Sequence, residues 1–250
     1  MLHKLYHGDC LEVMDKLIDE NVLVDAIITD PPYGTTACKW DSVIPFDGMW
    51  ERLNKLIKPD GVIVLFGSEP FSSLLRTSNL KMYKYDWTWI KNQATNHLHA
   101  KRMPLRKTEN ISVFMKGSSW YNPQKTHGHN PTNSSKGLSK GVVYHGTNVR
   151  DYEGGDTTRM PIDIQYFNCV SNYSKVHPNE KPIELLEYLI KTYTNENELV
   201  LDFTMGSGST GIACQNLNRT FIGIELDENY FSIAKDRIEK SVNNLIKHFQ

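Results

Sequence analysis

The chain runs to 250 residues, 39% apolar and 23% charged, with a formal net charge of -1. Those proportions suit one sizeable α/β core with an inserted region, and no apolar run approaches the roughly 20 residues that a membrane span needs. The first ten residues lack the basic-then-apolar order of a signal peptide, so the expected compartment is the cytoplasm.

Residues 4–10, KLYHGDC, read as a short strand and turn, after which Leu11, Met14, Leu17 and Ile18 fall on one helical face. Asp9 stands where it either caps that helix or faces a ligand. The next strand starts at Val24 and ends in Asp30-Pro31-Pro32-Tyr33, at the edge where open α/β sheets hold their ligands. The two prolines fix φ and donate no N–H, so this loop is stiff and offers acceptors. Asp30 and the Pro31 carbonyl form an acceptor-only pair suited to an amino group whose lone pair is delocalised into a ring. Holding both N–H bonds draws that lone pair out toward an electrophile, and Tyr33 adds a flat face for stacking. A strand followed by a plain Pro-rich turn is the simpler reading of the same residues.

Residues 34–45 show little periodicity and are expected to be a mobile segment able to close over a substrate. Helical spacing returns at 46–58 through Met49, Trp50, Leu53, Leu56 and Ile57. Lys58-Pro59-Asp60-Gly61 then ends the helix, and GVIVLFGS reads as a strand buried on both faces. From Lys81, YKYDWTWIKN alternates aromatic and polar residues as an antiparallel strand does, with ENISVFMKG near Glu109 as its partner.

Charge is unevenly spread along the chain. Residues 81–150 hold 12 Lys and Arg against Asp86 and Glu109, a net +10, while the remainder holds 16 basic and 27 acidic residues, a net -11. A positive middle is the pattern of a nucleic-acid binder, and Lys101, Arg102, Arg106 and Lys107 are its candidate DNA contacts. Residues 117–175, rich in Gly, Ser, Asn, His and Tyr, read either as a solvated, partly disordered insertion or as a DNA-contacting segment. Four cysteines, Cys10, Cys38, Cys169 and Cys214, lie without C-x-x-C spacing and are read as reduced. The pairs His97 with His99 and His127 with His129 lack a third spaced ligand, and no metal site is expected.

From His177, HPNEKPIELLEYLIKTYT opens with prolines and continues as a helix with Ile183, Leu186, Leu189 and Ile190 on one side. ELVLDFTMGSGSTGIAC then reads as a strand from Leu199, a Gly-rich turn and a helix from about Thr210. Gly206 and Gly208 allow close backbone approach to a ligand, and the helix N-terminus offers free N–H groups to an anion such as an amino-acid carboxylate. FIGIELDENY is a strand ending in Glu225, 23 positions after Asp202. An acidic residue about 20 positions beyond a Gly loop either holds ribose hydroxyls or is an ordinary strand-end carboxylate. Residues 227–249 close the chain as a helix.

Asp30-Pro31-Pro32-Tyr33 matches letter for letter the Asp/Asn/Ser-Pro-Pro-Tyr/Phe signature of the amino-methylating, S-adenosylmethionine-dependent DNA methyltransferases. The chain also resembles that family in Gly8-Asp9-Cys10 before a helix, in His177-Pro178-x-x-Lys181-Pro182 and in the Gly loop, over about residues 4–116 and 176–236. The family's usual Asp-Pro-Phe-x-Gly-Ser-Gly is here Asp202-Phe203-Thr204-Met205-Gly206-Ser207-Gly208, without that Pro and Phe. Asp-Pro-Pro-Tyr preceding the Gly loop resembles the beta class, which implies a permuted, mixed seven-stranded α/β sheet flanked by helices. The catalytic part would be residues 1–116, an inserted target-recognition region 117–175, and the cofactor-binding part 176–250.

The resemblance further implies S-adenosylmethionine among Asp9 and Cys10, Asp30, Lys181 and Pro182, Asp202, the loop Thr204, Met205, Gly206, Ser207, Gly208, Ser209 and Thr210, and Glu225. Asp30, Pro31, Pro32 and Tyr33 are the expected catalytic residues, acting on a base flipped out of double-stranded DNA. Asp at the first motif position goes mostly with adenine, so the implied activity is site-specific N6-adenine methylation of the restriction-modification kind. Cytosine N4, RNA or a protein amine as acceptor, and a catalytically silent nucleic-acid-binding protein, are the rival readings. The oligomeric state, homodimer included, stays open.

Overall fold

The computed structural model describes residues 3–35, 41–140, 147–171, 173 and 175–248. The chain divides into two compact units, one of Met1–Asn122 with Asp163–Gln250 and one of Pro123–Ile162. The first begins β1 (Lys4–His7), α1 (Cys10–Asp19), β2 (Val24–Thr29), α2 (Phe46–Leu56), β3 (Ile57–Gly67), α3 (Phe71–Ser78), β4 (Tyr83–Thr95) and β5 (Arg106–Met115). The second carries the antiparallel pair β6 (Ser135–Lys140) and β7 (Thr147–Tyr152), and reciprocal backbone bonds join Thr126 to Arg159 at 2.9 and 3.0 Å. The first unit resumes with β8 (Ile164–Phe167), α4 (Ile183–Tyr193), β9 (Leu199–Asp202), α5 (Ser209–Asn216), β10 (Thr220–Glu225) and α6 (Glu228–His248).

One mixed sheet organises the first unit in the order β1-β10-β9-β2-β3-β5-β4-β8. From β1 to β3 the neighbours are parallel, β5 is antiparallel to β3 and β4, and β8 is parallel to β4. The α/β class is as the sequence implies, but the strands number eight where seven were expected. The addition, β8, is four residues long and lies beside β4 at the sheet edge with Ile164 and Tyr166 exposed, so it carries no local apolar signature. Helix 46–58 also stops earlier, because Pro59 disfavours the helical region for Lys58, and Ile57 and Lys58 start β3 instead.

Continuous apolar strands are explained by helices on both faces. Along β3, Val62, Val64 and Phe66 pack with Leu185, Leu189 and Ile190 of α4, whereas Ile63 and Leu65 pack with Met14 and Leu17 of α1 and Leu53 of α2. Ala26 and Ile28 against Ile27 divide the same way in β2, and Val200 against Leu201 in β9. The aromatic alternation predicted from Lys81 onward is β4, with Trp87 opposite Ile111 and Trp89 opposite Glu109. Trp87 and Trp89 turn inward, and the Tyr193 hydroxyl accepts the Trp87 Nε1–H at 2.6 Å while lying 2.9 Å from the Tyr85 hydroxyl.

Tyr193→Phe tests that packing. It leaves the buried Trp87 N–H without its acceptor and should cost about 1–3 kcal/mol of unfolding free energy, read from urea denaturation. A loss below about 0.5 kcal/mol would show that the bond carries little of the β4–α4 contact.

Candidate active site

Strand order places the site. β2 leads through α2 to β3 on one side, and β9 leads through α5 to β10 on the other, so a crevice forms past their carboxyl ends. A cavity of about 300 Å³ lies there, in the size range of small-molecule sites. Its wall takes Asp9 and Cys10 from the start of α1, Asp30, Pro31, Pro32 and Tyr33 from the loop after β2, and Lys181 from the approach to α4. Asp202, Thr204, Met205, Gly206, Ser207, Ser209 and Thr210 from β9 to α5, and Glu225 from the end of β10, complete the set.

Pro182 and Gly208, both expected at the cofactor, do not line the cavity. Pro182 is the N-cap of α4. Gly208, at φ +81°, packs against α6, where a Cβ would lie 3.0 Å from the Cβ of Ala234. Its glycine is therefore required by helix packing. Gly206 is the open position: a Cβ there would meet the His177 ring, at 3.7 Å or beyond.

Short bonds fix the wall. Asp9 caps α1 by accepting from the N–H of Leu11 at 2.8 Å and Glu12 at 3.2 Å, so it is both cap and cavity residue. Thr29 donates to Asp202, which also accepts from the Thr204 N–H at 3.1 Å and the Thr210 hydroxyl at 2.7 Å. The Thr204 hydroxyl lies 2.9 Å from that of Thr29 and donates to the Asp30 carbonyl at 3.1 Å. The departure from the family loop thus has a consequence: Thr204 ties the Gly turn to the Asp-Pro-Pro-Tyr turn, while Phe203 is buried in the core. Glu225 accepts from the N–H of Gly206 and of Asp227, each at 2.8 Å. His177 stands 4.3 Å from the Tyr230 ring, and burial, reinforced by Lys181, lowers its pKa to about 4.

A chain of buried charges runs behind Asp30. The Tyr33 hydroxyl, with one hydrogen to donate, is shared between Asp30 and Glu109, the latter at 2.9 Å, and its ring stacks on Phe71 at 5.0 Å. Lys181 pairs with Asp30 and lies 3.1 Å from Glu109, which is also bound by Lys91 at 2.5 Å. Burial pushes Asp30 above the ordinary carboxylate value, with Lys181 opposing and Glu109 adding to the rise. For Glu109 burial acts the same way, but Lys181 and Lys91 outweigh it and hold its carboxyl low. Glu109 was legible only as one of two acids in a basic stretch. The overlooked signal was its register, since Glu109 falls on the same strand face as Ile111, Val113 and Met115, all turned inward.

Lys101, Arg102, Arg106 and Lys107 are exposed and lie outside the cavity. Lys101 and Arg102 follow a turn of 3-10 helix at His97–His99 between β4 and β5, and Arg106 and Lys107 begin β5. Because Asn110 pairs with Gly67 at the carboxyl end of β3, Arg106 extends past that end, the same sheet edge as the cavity, and its guanidinium reaches Ser68 at 3.1 Å. Of the segment expected to close over substrate, residues 36–40 lie outside the described residues. Asp41, on its far side, accepts from the N–H of Gly34 at 2.8 Å and of Thr35 at 2.9 Å.

The parallel-centred sheet thus brings a Gly turn and an acceptor-bearing Pro-Pro loop to one cavity. The family model described as DNA methylase, for N6 and N4 amino groups, matches residues 24–236, and the chain belongs to that family. It is 28% identical to the type II methyltransferase M1.MboII of Moraxella bovis, over 93% of this chain and 95% of that protein. M.HpaI of Haemophilus parainfluenzae is also 28% identical, over 91% of this chain and 72% of its own length. Among solved structures, M1.HpyAVI in complex with S-adenosylmethionine superposes with a TM-score of 0.66 at 29% identity, covering 95% of this chain and 99% of that one. The cytosine-N4-specific PvuII DNA methyltransferase shares the fold, with a TM-score of 0.65 at 16% identity over 97% of this chain and 92% of its own. The protein is a DNA methyltransferase whose methyl donor is S-adenosylmethionine.

Burial raises Asp202 to about 6 against an ordinary 3.8, with its three hydrogen bonds pulling the other way. The folded protein therefore binds more protons than the unfolded chain between those pH values, and stability falls as pH rises through them. Asp202→Asn removes this titration. From pH 4 to pH 7 the stability of the variant should gain on the wild type by about 2 kcal/mol, measured by urea unfolding of the cofactor-free protein. A difference independent of pH would contradict the raised value.

Proposed function

We propose that this protein transfers the methyl group of S-adenosylmethionine to N6 of adenine in double-stranded DNA at a specific sequence. The observation that carries the reading is that the Asp30-Pro31-Pro32-Tyr33 loop and the Gly206 turn share one cavity, tied to each other through Thr204. The residues present suit the cofactor: Gly206 leaves its backbone bare, and Asp9 and Glu225 bring carboxylates for hydroxyl and amino groups to the same wall. Bound there, S-adenosylmethionine supplies an electrophilic methyl group on a sulfonium.

The target base, flipped from the duplex, enters with its amino group at Asp30 and the Pro31 carbonyl and its ring against Tyr33. Both N–H bonds are held, so the nitrogen lone pair is freed for attack. Asp30 is too weak a base to deprotonate a neutral aryl amine, and its task is to orient the amine and offset the positive charge that develops on nitrogen. The cofactor, held by Gly206, Asp9 and Glu225, would supply the methyl group to that nitrogen and leave as a neutral thioether, and the proton the nitrogen then loses would pass to water. Both amino-bearing bases offer the same two N–H bonds, so the choice of adenine rests on the aspartate at position 30 and the broad Tyr33 ring. Residues 117–175 are the target-recognition region in this reading, and the turn bearing Lys101, Arg102, Arg106 and Lys107 holds phosphates beside the cavity mouth.

Asp30→Ala should lower single-turnover methylation by a hundredfold or more, on the order of one lost preorganised acceptor, while cofactor affinity by calorimetry stays close to wild type. Mass spectrometry of nucleosides from DNA methylated by the wild type should find N6-methyladenine. Methylcytosine alone would move the assignment to cytosine N4.

Replacing Lys101, Arg102, Arg106 and Lys107 with neutral residues should flatten the dependence of log affinity for DNA on log salt by about 3 to 4, if each meets one phosphate. An unchanged slope would place the DNA path elsewhere.

A further inference from the structure

We propose that Lys181 and Glu109 are positioning residues for the amine-binding carboxylate, Lys181 keeping Asp30 ionised and oriented and Glu109 holding the Lys181 ammonium and the Tyr33 hydroxyl against it. The inference rests on the role given to Asp30 above and adds two residues that touch neither base nor cofactor in that reading.

Geometry carries it. Asp30 has one oxygen on the Tyr33 hydroxyl and the other on Lys181, so both oxygens are aimed by neighbours and each keeps a lone pair for an amine N–H. Glu109 binds the far side of both partners, Tyr33 at 2.9 Å and Lys181 at 3.1 Å. The loop bearing Lys181 is itself anchored: Glu180 accepts from Arg237 at 2.6 Å and from the Val176 N–H at 3.0 Å, and Arg237 also donates to the Ser207 carbonyl at 2.8 Å. The ammonium stands between the Phe66 ring, 5.1 Å from its centroid, and the Tyr33 ring, at 5.9 Å.

Charge explains why two carboxylates are needed. Methyl transfer moves a positive charge from sulfonium onto the amine nitrogen. Glu109 shares the Lys181 ammonium with Asp30 and is itself balanced by Lys91 at 2.5 Å, so the four groups sum to zero and neither carboxylate is left facing a cation alone. A buried ion network of this kind is a poor route to stability, because apolar residues of like volume would serve as well, whereas at a reacting centre it sets protonation state.

The two partners pull Asp30 in opposite directions. The groups facing it are Lys181 from the approach to α4, Glu109 from β5, Tyr33 from its own loop and Asp202 from β9, with Lys91 of β4 and His177 one contact further out. Removing the cation in Lys181→Met should move the titration of Asp30 to higher pH by about one unit or more. Removing the like charge in Glu109→Gln should move it to lower pH. Lys181→Arg should restore it toward wild type.

The experiment follows the carbon-13 carboxyl signal of Asp30, assigned by its loss in Asp30→Asn, in the cofactor-free full chain, together with the acid limb of the single-turnover rate on DNA. Opposite shifts for Lys181→Met and Glu109→Gln, seen in both readouts, are the expected result, with at least a tenfold rate loss for Lys181→Met at neutral pH. Unmoved titrations, or shifts of the same sign, overturn the proposal. If Lys181→Met does not fold, the near-isosteric Glu109→Gln still gives the downward shift or fails to. Asp30→Ala runs beside them: near-normal turnover there refutes the role of Asp30 itself, and loss of turnover without divergent shifts refutes only the role of Lys181 and Glu109.

Discussion

The parallel pairing of β2 with β9 is the constraint on which this structure turns. Ala26 opposite Val200 and Ile27 opposite Leu201 align two strands that lie 174 positions apart, and the register delivers Asp30 and Asp202 to the same sheet edge. Thr29 and Thr204 then stitch the two turns together through Asp202 and the Asp30 carbonyl. A slip of one residue would send these side chains to opposite faces of the sheet and separate the two halves of the cavity. Asp202 is retained, almost wholly buried, for that purpose: its oxygens are spent on Thr29, Thr204 and Thr210 and shape the Gly turn.

Electrostatics sets the second layer. Asp30, Glu109, Lys181 and Lys91 place two carboxylates and two ammonium groups within one contact chain, and each charge is offset by a neighbour of opposite sign. Such a set is costly to desolvate, and breaking any link leaves a buried charge uncompensated. Its position directly behind the Pro-Pro turn relates the cost to chemistry at Asp30. The stiff turn fixes the backbone, and the ion network fixes the carboxylate.

The distribution of charge over the chain follows the same division. The overall value of -1 conceals a middle stretch that is strongly positive, and its exposed Arg106 extends past the sheet edge on which the cavity lies. In the proposed function, a polyanion drawn to that residue is brought to the mouth of the cavity. No helix among the described residues is long and apolar enough to cross a membrane.

Local pattern determined much of this protein. The period of apolar residues specified α1, α2 and α4, the continuous runs specified the doubly buried strands, and the Pro-Pro and Gly turns marked the site because proline and glycine act on the backbone where they stand. Asp30 and Glu225 were legible as candidate site residues for the same reason, each lying at the end of a strand whose direction the pattern shows, whereas Asp9 and Thr204 entered through the family resemblance. What the tertiary structure alone decided depends on separation along the chain. Lys181 reaches Asp30 across 151 positions and Glu109 reaches Tyr33 across 76, and no local spacing encodes either contact. The edge strand β8 exists only because β4 offers a partner, and Gly208 serves α6, not the cavity, because helix packing brings Ala234 against it. Periodicity reports which face of an element is apolar; which element that face meets, and which buried charge it carries to another, is settled only when the sheet assembles.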